Sequence, residues 1–291
     1  MSEDMYRPIK CFSDEEPTFS VTDKVADFEG RAPEEAYASE INWEKLAEHY
    51  DIPERQLGWK EKVLNLKNPE ALESEQPHLE GNWVTSYDIR AYRKGKIDIF
   101  PLAAIGVLKT KDNQIVFGVR GGEITPDRKL TIGAGLYGCP PAGSVTFHPK
   151  YEHGPIKDTL VAEFSEEIGN FDITDQRLIG VFEAYPPGPK GIKFVASLET
   201  DATLEQIQQE NAEANQLRQR LLDNGASAAD AANALREKGL PADAWEHSVL
   251  LGVRNDIQSI ETLVRSQPQS FAGIGAGALM TYIQYQRNLY K

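Results

Sequence analysis

Glu163, Glu166 and Glu167 crowd into the stretch "LVAEFSEEIG", residues 160–169. At about 100° per residue their side chains fall within an arc of about 100° on a helix. Ile156, Leu160, Phe164 and Ile168 repeat every fourth residue along the adjoining stripe. One flank of such a helix is buried and the next is acidic, so the acids lie at the edge of a core. Like charges at these spacings repel by about 0.2–0.5 kcal/mol per pair on an isolated helix, and by more when desolvated. A divalent cation reverses the sign. Mg²⁺ and Mn²⁺ prefer oxygen ligands, and Mg²⁺ takes a few carboxylates while water and phosphate fill its other positions. A solvated acidic face is the competing reading of the triplet taken alone.

The surrounding elements favour the cation. "PLAAIGVLKT" and "QIVFGVRG" are short apolar runs joined by "KDN", a hairpin signature. The loop "PPAGS", residues 140–144, can bring backbone amides and carbonyls close to an ion or a phosphate. A helix is expected over 155–168, with Pro155 in its first turn and Gly169 as the left-handed residue that closes it. "RLIGVFEAY" and "GIKFVASLE" form a second strand pair across "PPGPK". The centre therefore reads hairpin, glycine-rich loop, helix, hairpin: a mixed sheet with a helix packed on it.

That order, with "PPAGS" ahead of "AEFSEEIGN", resembles the Nudix hydrolase family. The family signature is a glycine, five residues, Glu, seven residues, then Arg-Glu-apolar-x-Glu-Glu-x-Gly-apolar. Glu163, Phe164, Glu166, Glu167 and Gly169 match in register, and the similarity spans roughly 101–198 plus "AWEHSVLLGV". Ala162 stands where the family has Arg, Gly154 where it has its earlier Glu, and Asn170 where it has an apolar residue. The interval from Gly143 to Glu163 is five residues longer than the family's, with Glu152 a candidate for the displaced acid. The resemblance implies an α/β (α+β) fold, a Nudix-like α/β/α sandwich with a mixed sheet.

It also implies roles. Glu166 and Glu167 ligate Mg²⁺ or Mn²⁺, Ala142 adds its backbone carbonyl, and Glu163 is a further ligand or the base that activates water. Glu183 or Glu246 supplies another carboxylate. The implied reaction is hydrolysis of the diphosphate linkage of a nucleoside diphosphate derivative. Arg120 and Arg128 or Lys129 are candidates to meet phosphate, and Tyr137, Tyr185 and Phe182 to stack on a base or sugar. "NWVTSYDIRAY" and "GWKEKVLNLKNPE" resemble the N-terminal extension of family members that split UDP-sugars, which ranks nucleotide sugars first. The departures motivate the alternative: a Nudix-fold nucleotide-binding or regulatory module without turnover.

The whole chain limits its partners. A formal charge of −14 over 291 residues argues against nucleic acid or an anionic membrane as a standing partner. No apolar run reaches the roughly 18 residues of a membrane span. "MSEDMYRPIK" lacks the pattern of a secretory signal. Two cysteines, Cys11 and Cys139, make a reducing, cytoplasmic setting the expectation. Residues 1–96 read as an N-terminal extension or subdomain with two helices, one in "APEEAYASEINWEKLAEHYD" and one in "RQLGWKEKVLNLKNPE". Residues 97–291 read as the Nudix-like domain. It carries an inserted helical hairpin at about 203–239, bounded by the capping boxes Thr203/Gln206 and Ser227/Asp230. That hairpin covers the site, forms a homodimer contact, or simply packs. "AWEHSVLLGV" is expected as a late strand and "IGAGALMTYIQYQ" as a final packed helix.

Overall fold

The computed structural model describes residues 6–12, 15–28, 37–52, 60–121, 134–147, 151–184 and 191–289. Its strands are β1 (Tyr6–Cys11), β2 (Thr18–Val25), β3 (Lys62–Leu66), β4 (His78–Thr85), β5 (Leu102–Lys109), β6 (Gln114–Arg120), β7 (Tyr137–Gly138), β8 (Ala142–Ser144), β9 (Ile173–Ala184), β10 (Gly191–Thr200) and β11 (His247–Arg254). Its helices are α1 (Trp43–His49), α2 (Ser86–Arg93), α3 (Pro155–Glu167), α4 (Leu204–Asp223), α5 (Ala228–Glu237), α6 (Ile257–Ser266) and α7 (Gly273–Leu289). The large mixed sheet runs β1-β9-β10-β5-β6-β11, with β8 added to β5 and β7 to β6. Only β10 and β5 lie parallel among its long pairs, so the chain must cross over between them, and α3 with β9 makes that crossing.

Alternation along the strands builds two cores. Ala104 and Leu108 of β5, with Phe194, Ala196 and Leu198 of β10, face Ile156, Leu160 and Phe164 of α3. Ile105 and Val107, with Val195, face Leu279, Tyr282 and Ile283 of α7 and Ile260 of α6. Helices thus cover both faces, giving the mixed α/β sandwich expected from the sequence. Among the described residues no helix is long and apolar enough to cross a membrane.

The hairpin β5/β6, the antiparallel pair β9/β10, α3, the late strand β11 and the final helix stand where the sequence places them. Gly169 is left-handed at φ +131 and both capping boxes of α4 and α5 form. The "PPGPK" loop falls outside the described residues.

The N-terminal third departs from expectation. "KVLNL" is not helical: it is β3, paired antiparallel with β4 in a three-stranded sheet that β2 completes. Four consecutive buried residues, Val63 to Leu66, explain why. A surface helix would expose some of them, whereas a strand covered on both faces hides all four. In the other expected helix, only Ala38–Glu40 (3₁₀) and α1 are helical among the described residues, and 31–36 lie outside them. Unforeseen by the sequence reading, α2 begins at a capping box in which Thr85 and Asp88 bond reciprocally. Bridges from Val63 to Thr146 and from Asn65 to Pro101 seat this small sheet beside β5 and β8.

Candidate functional site

Three segments converge on the C-terminal half of α3. The first is β8, held to β5 by the register Ile105↔Ala142 and Ala104↔Gly143. Gly143 faces α3 so closely that a Cβ there would overlap the Glu163 carboxylate. The second is the end of β6, where Arg120 pairs in register with His247 of β11. The third is the 3₁₀ turn Ala244–Glu246, docked on α3 by the Asp243 amide donating to the Glu166 carbonyl at 2.8 Å.

Glu167 is 2 % exposed. The Ala142 amide donates to its Oε2 at 3.3 Å, and His247 Nε2 lies 3.6 Å from that same oxygen. Burial pushes the Glu167 carboxyl well above the ordinary carboxylate range, against the pull of Arg120 and the Ala142 amide. Glu163 is raised by burial first and then by Glu167, Glu166, Glu246 and Asp243. Glu246 is pushed up to about 7 by burial and by Glu167, although Arg120 Nη2 donates to its Oε2 at 3.2 Å. His247 is pushed down to about 4 by burial and by Arg120, so its imidazole is neutral near pH 7. It packs on Gly118, where a Cβ would overlap its ring, and its Nδ1 has no partner. The result is a buried acid cluster with one half-buried guanidinium to offset it.

The other sequence candidates are placed as follows. Glu166 pairs with Arg236 of α5 at 3.3 Å, so the helical hairpin touches the rim of the cluster. Glu183 is not brought to the cluster; it pairs with Arg7 at 3.1 Å across the β1/β9 ladder. Glu152 is exposed ahead of α3. Tyr137 packs edge-on against Phe117 and Phe271, and Phe182 is buried against Tyr6. Arg128, Lys129 and Tyr185 lie outside the described residues. Glu246, the other candidate for a further carboxylate, does reach the cluster. Asp243 and His247 were missed. Both depend on a strand pairing more than a hundred residues distant in sequence, and no local pattern marks them.

Among the described residues, no three His, Cys, Asp or Glu side chains are arranged to hold a metal ion as they stand. The donor chemistry nevertheless suits a hard divalent cation. Glu163, Glu167 and Glu246 offer only oxygen, and burial first and neighbouring acids second push all three up, both of which a bound cation would offset.

No known family profile matches the chain, and no curated protein is similar to it. Among solved structures, the crystal structure of Tm1382, "a putative Nudix hydrolase", is similar at a TM-score of 0.34 and 12% identity. That match covers 49% of this chain and 78% of the other.

Proposed function

We propose that this protein is a metal-dependent, Nudix-type hydrolase that cleaves the diphosphate linkage of a nucleoside diphosphate derivative, a nucleotide sugar first among them. The observation that carries the reading is the convergence of Glu163, Glu167 and Glu246 where α3 meets the "PPAGS" loop: Glu163 lies against Gly143, Glu167 accepts from the Ala142 amide, and Glu246 is held by Arg120. Acids brought together in a buried place are what a Mg²⁺ or Mn²⁺ site would require, and a purely structural helix gains nothing from them. Glu163, Glu167 and Glu246 would hold the ion with the Ala142 carbonyl. Glu166 joins them if it leaves Arg236, an exposed pair worth under about 1 kcal/mol. Such an ion, when bound, lowers the pKa of water and neutralises charge on phosphate oxygens. The chain's own part is to place Glu163 against Gly143, where its carboxylate, once a bound cation holds it ionised, would accept a proton from water. Arg120 fixes Glu246 and adds positive charge for an anionic substrate.

A second reading, a nucleotide-binding module without turnover, draws on Glu166 being tied to Arg236 and on the lack of a ready three-ligand cluster. Incubation with UDP-glucose, ADP-ribose and related compounds separates the two. The hydrolase reading expects release of a mononucleotide with Mg²⁺ or Mn²⁺ and none in EDTA. Binding without turnover under either metal would give the site to the module reading.

A further inference from the structure

Beside the acid cluster, a cavity of about 200 Å³ opens between α2, β5, β8 and β10. Arg120 lines it as well as bonding Glu246, so the cavity adjoins the carboxylates. Two further cations line it: Arg93, the exposed last residue of α2, and Lys193 of β10. Lys193 is 5 % exposed, yet it makes no hydrogen bond or ion pair with any described residue. Arg93 has no such partner either. Lys193 Nζ lies beside Gly191, which has φ +140 and no side chain to fill that space. Burial and the Arg93 charge press the Lys193 ammonium down to about 8. A buried ammonium without a counter-charge is costly, and lysines are rarely found in this state. The −14 chain has acids to spare, but among the described residues none is set against this one.

We propose that this cavity is an anion-binding subsite in which Lys193 and Arg93 clasp a phosphate group of a small phosphorylated ligand. Apart from Arg120 and Ser144 the rest of its wall is largely apolar, with Ile89, Ile105 and Ile274, so the bound group carries a short apolar neighbour. The volume sets a limit on what enters. Sites for whole drug-sized ligands run to roughly 300–1,000 Å³, so this one takes one end of a ligand and not a complete nucleotide. Resting on the hydrolase reading, it would hold the phosphate remote from the bond that breaks. The cavity itself exists without that reading. It also gives α2 a task, because Arg93 and Ile89 bring the N-terminal third to the site.

The test is equilibrium binding of inorganic phosphate and pyrophosphate to the full chain by calorimetry, in EDTA, so that neither metal nor turnover enters. The wild type is expected to bind, with Arg93→Gln and Lys193→Met each weakening affinity at least tenfold. Circular dichroism checks that Lys193→Met is folded; should it unfold, the exposed Arg93→Gln carries the decision. No binding by the wild type, or equal affinity in Arg93→Gln, overturns the subsite. Phosphate binding with the expected losses, in a protein without turnover on any substrate, keeps the subsite and removes the hydrolase.

Discussion

Glu167→Gln is expected to stabilise the metal-free protein while removing its response to metal. The carboxyl is 2 % exposed, and its ordinary value of 4.5 is raised by burial. Above that ordinary value the unfolded chain has released this proton, whereas the folded chain keeps it. Folding therefore takes up a proton, and stability falls as pH rises from about 5 toward 8. The slope for one proton is about 1.4 kcal/mol per pH unit, so near pH 7 the loss reaches about 3 kcal/mol. Glutamine carries no charge, and its amide oxygen can still accept from the Ala142 amide. Allowing for relaxation around the buried acid, the gain at pH 7 in EDTA is about 1–3 kcal/mol. Thermal melts from pH 5 to 8 in EDTA measure it, at roughly 2–4 °C per kcal/mol in domains slightly smaller than this chain. Mg²⁺ at a hundred times its dissociation constant adds about 2.7 kcal/mol to the wild type and much less to the variant. A variant less stable than wild type at pH 7 in EDTA, or one that gains as much from Mg²⁺, would refute the reasoning.

Three further substitutions probe the surroundings. Gly143→Ala forces the Glu163 carboxylate to move, so turnover with Mg²⁺ should drop by at least tenfold while the melting temperature shifts by only a few degrees. Arg120→Gln removes the guanidinium that bonds Glu246 and offsets Glu167, and in EDTA it should cost about 1–3 kcal/mol by urea unfolding, partly restored by Mg²⁺. Arg236→Ala breaks an exposed pair with Glu166 and should change stability by less than about 1 kcal/mol. If the hairpin restrains Glu166 from the ion, that variant binds Mg²⁺ more tightly by calorimetry; weaker binding would reverse the role given to the hairpin.

Legibility in the sequence followed the range of the forces involved. The helix α3 could be read because Ile156, Leu160 and Phe164 repeat at its period and Gly169 closes it, all within fifteen residues. The hairpin α4/α5 was equally plain, since both capping boxes are local hydrogen-bond patterns. "KVLNL" misled because a short apolar run does not declare its period; pairing with β4 and the cover of a second sheet decided it. The acids of α3 were visible, but their partners were only partly so. Which of Glu183 and Glu246 reaches the cluster depends on β9 meeting β1 and β11 meeting β6, and neither pairing is written locally. Lys193 and Arg93 escaped for the same reason. One sits in a strand and the other ends an unforeseen helix, and only the assembled sheet brings them to one cavity.

The central claim is that a cation gathers the α3 acids. Crystals grown with Mn²⁺, measured for anomalous scattering, test it most directly. The account predicts a difference peak bounded by Glu163, Glu167 and Glu246 and lost in Glu167→Gln. Crystals at saturating Mn²⁺ with no peak there, or with the ion elsewhere on the molecule, would contradict it.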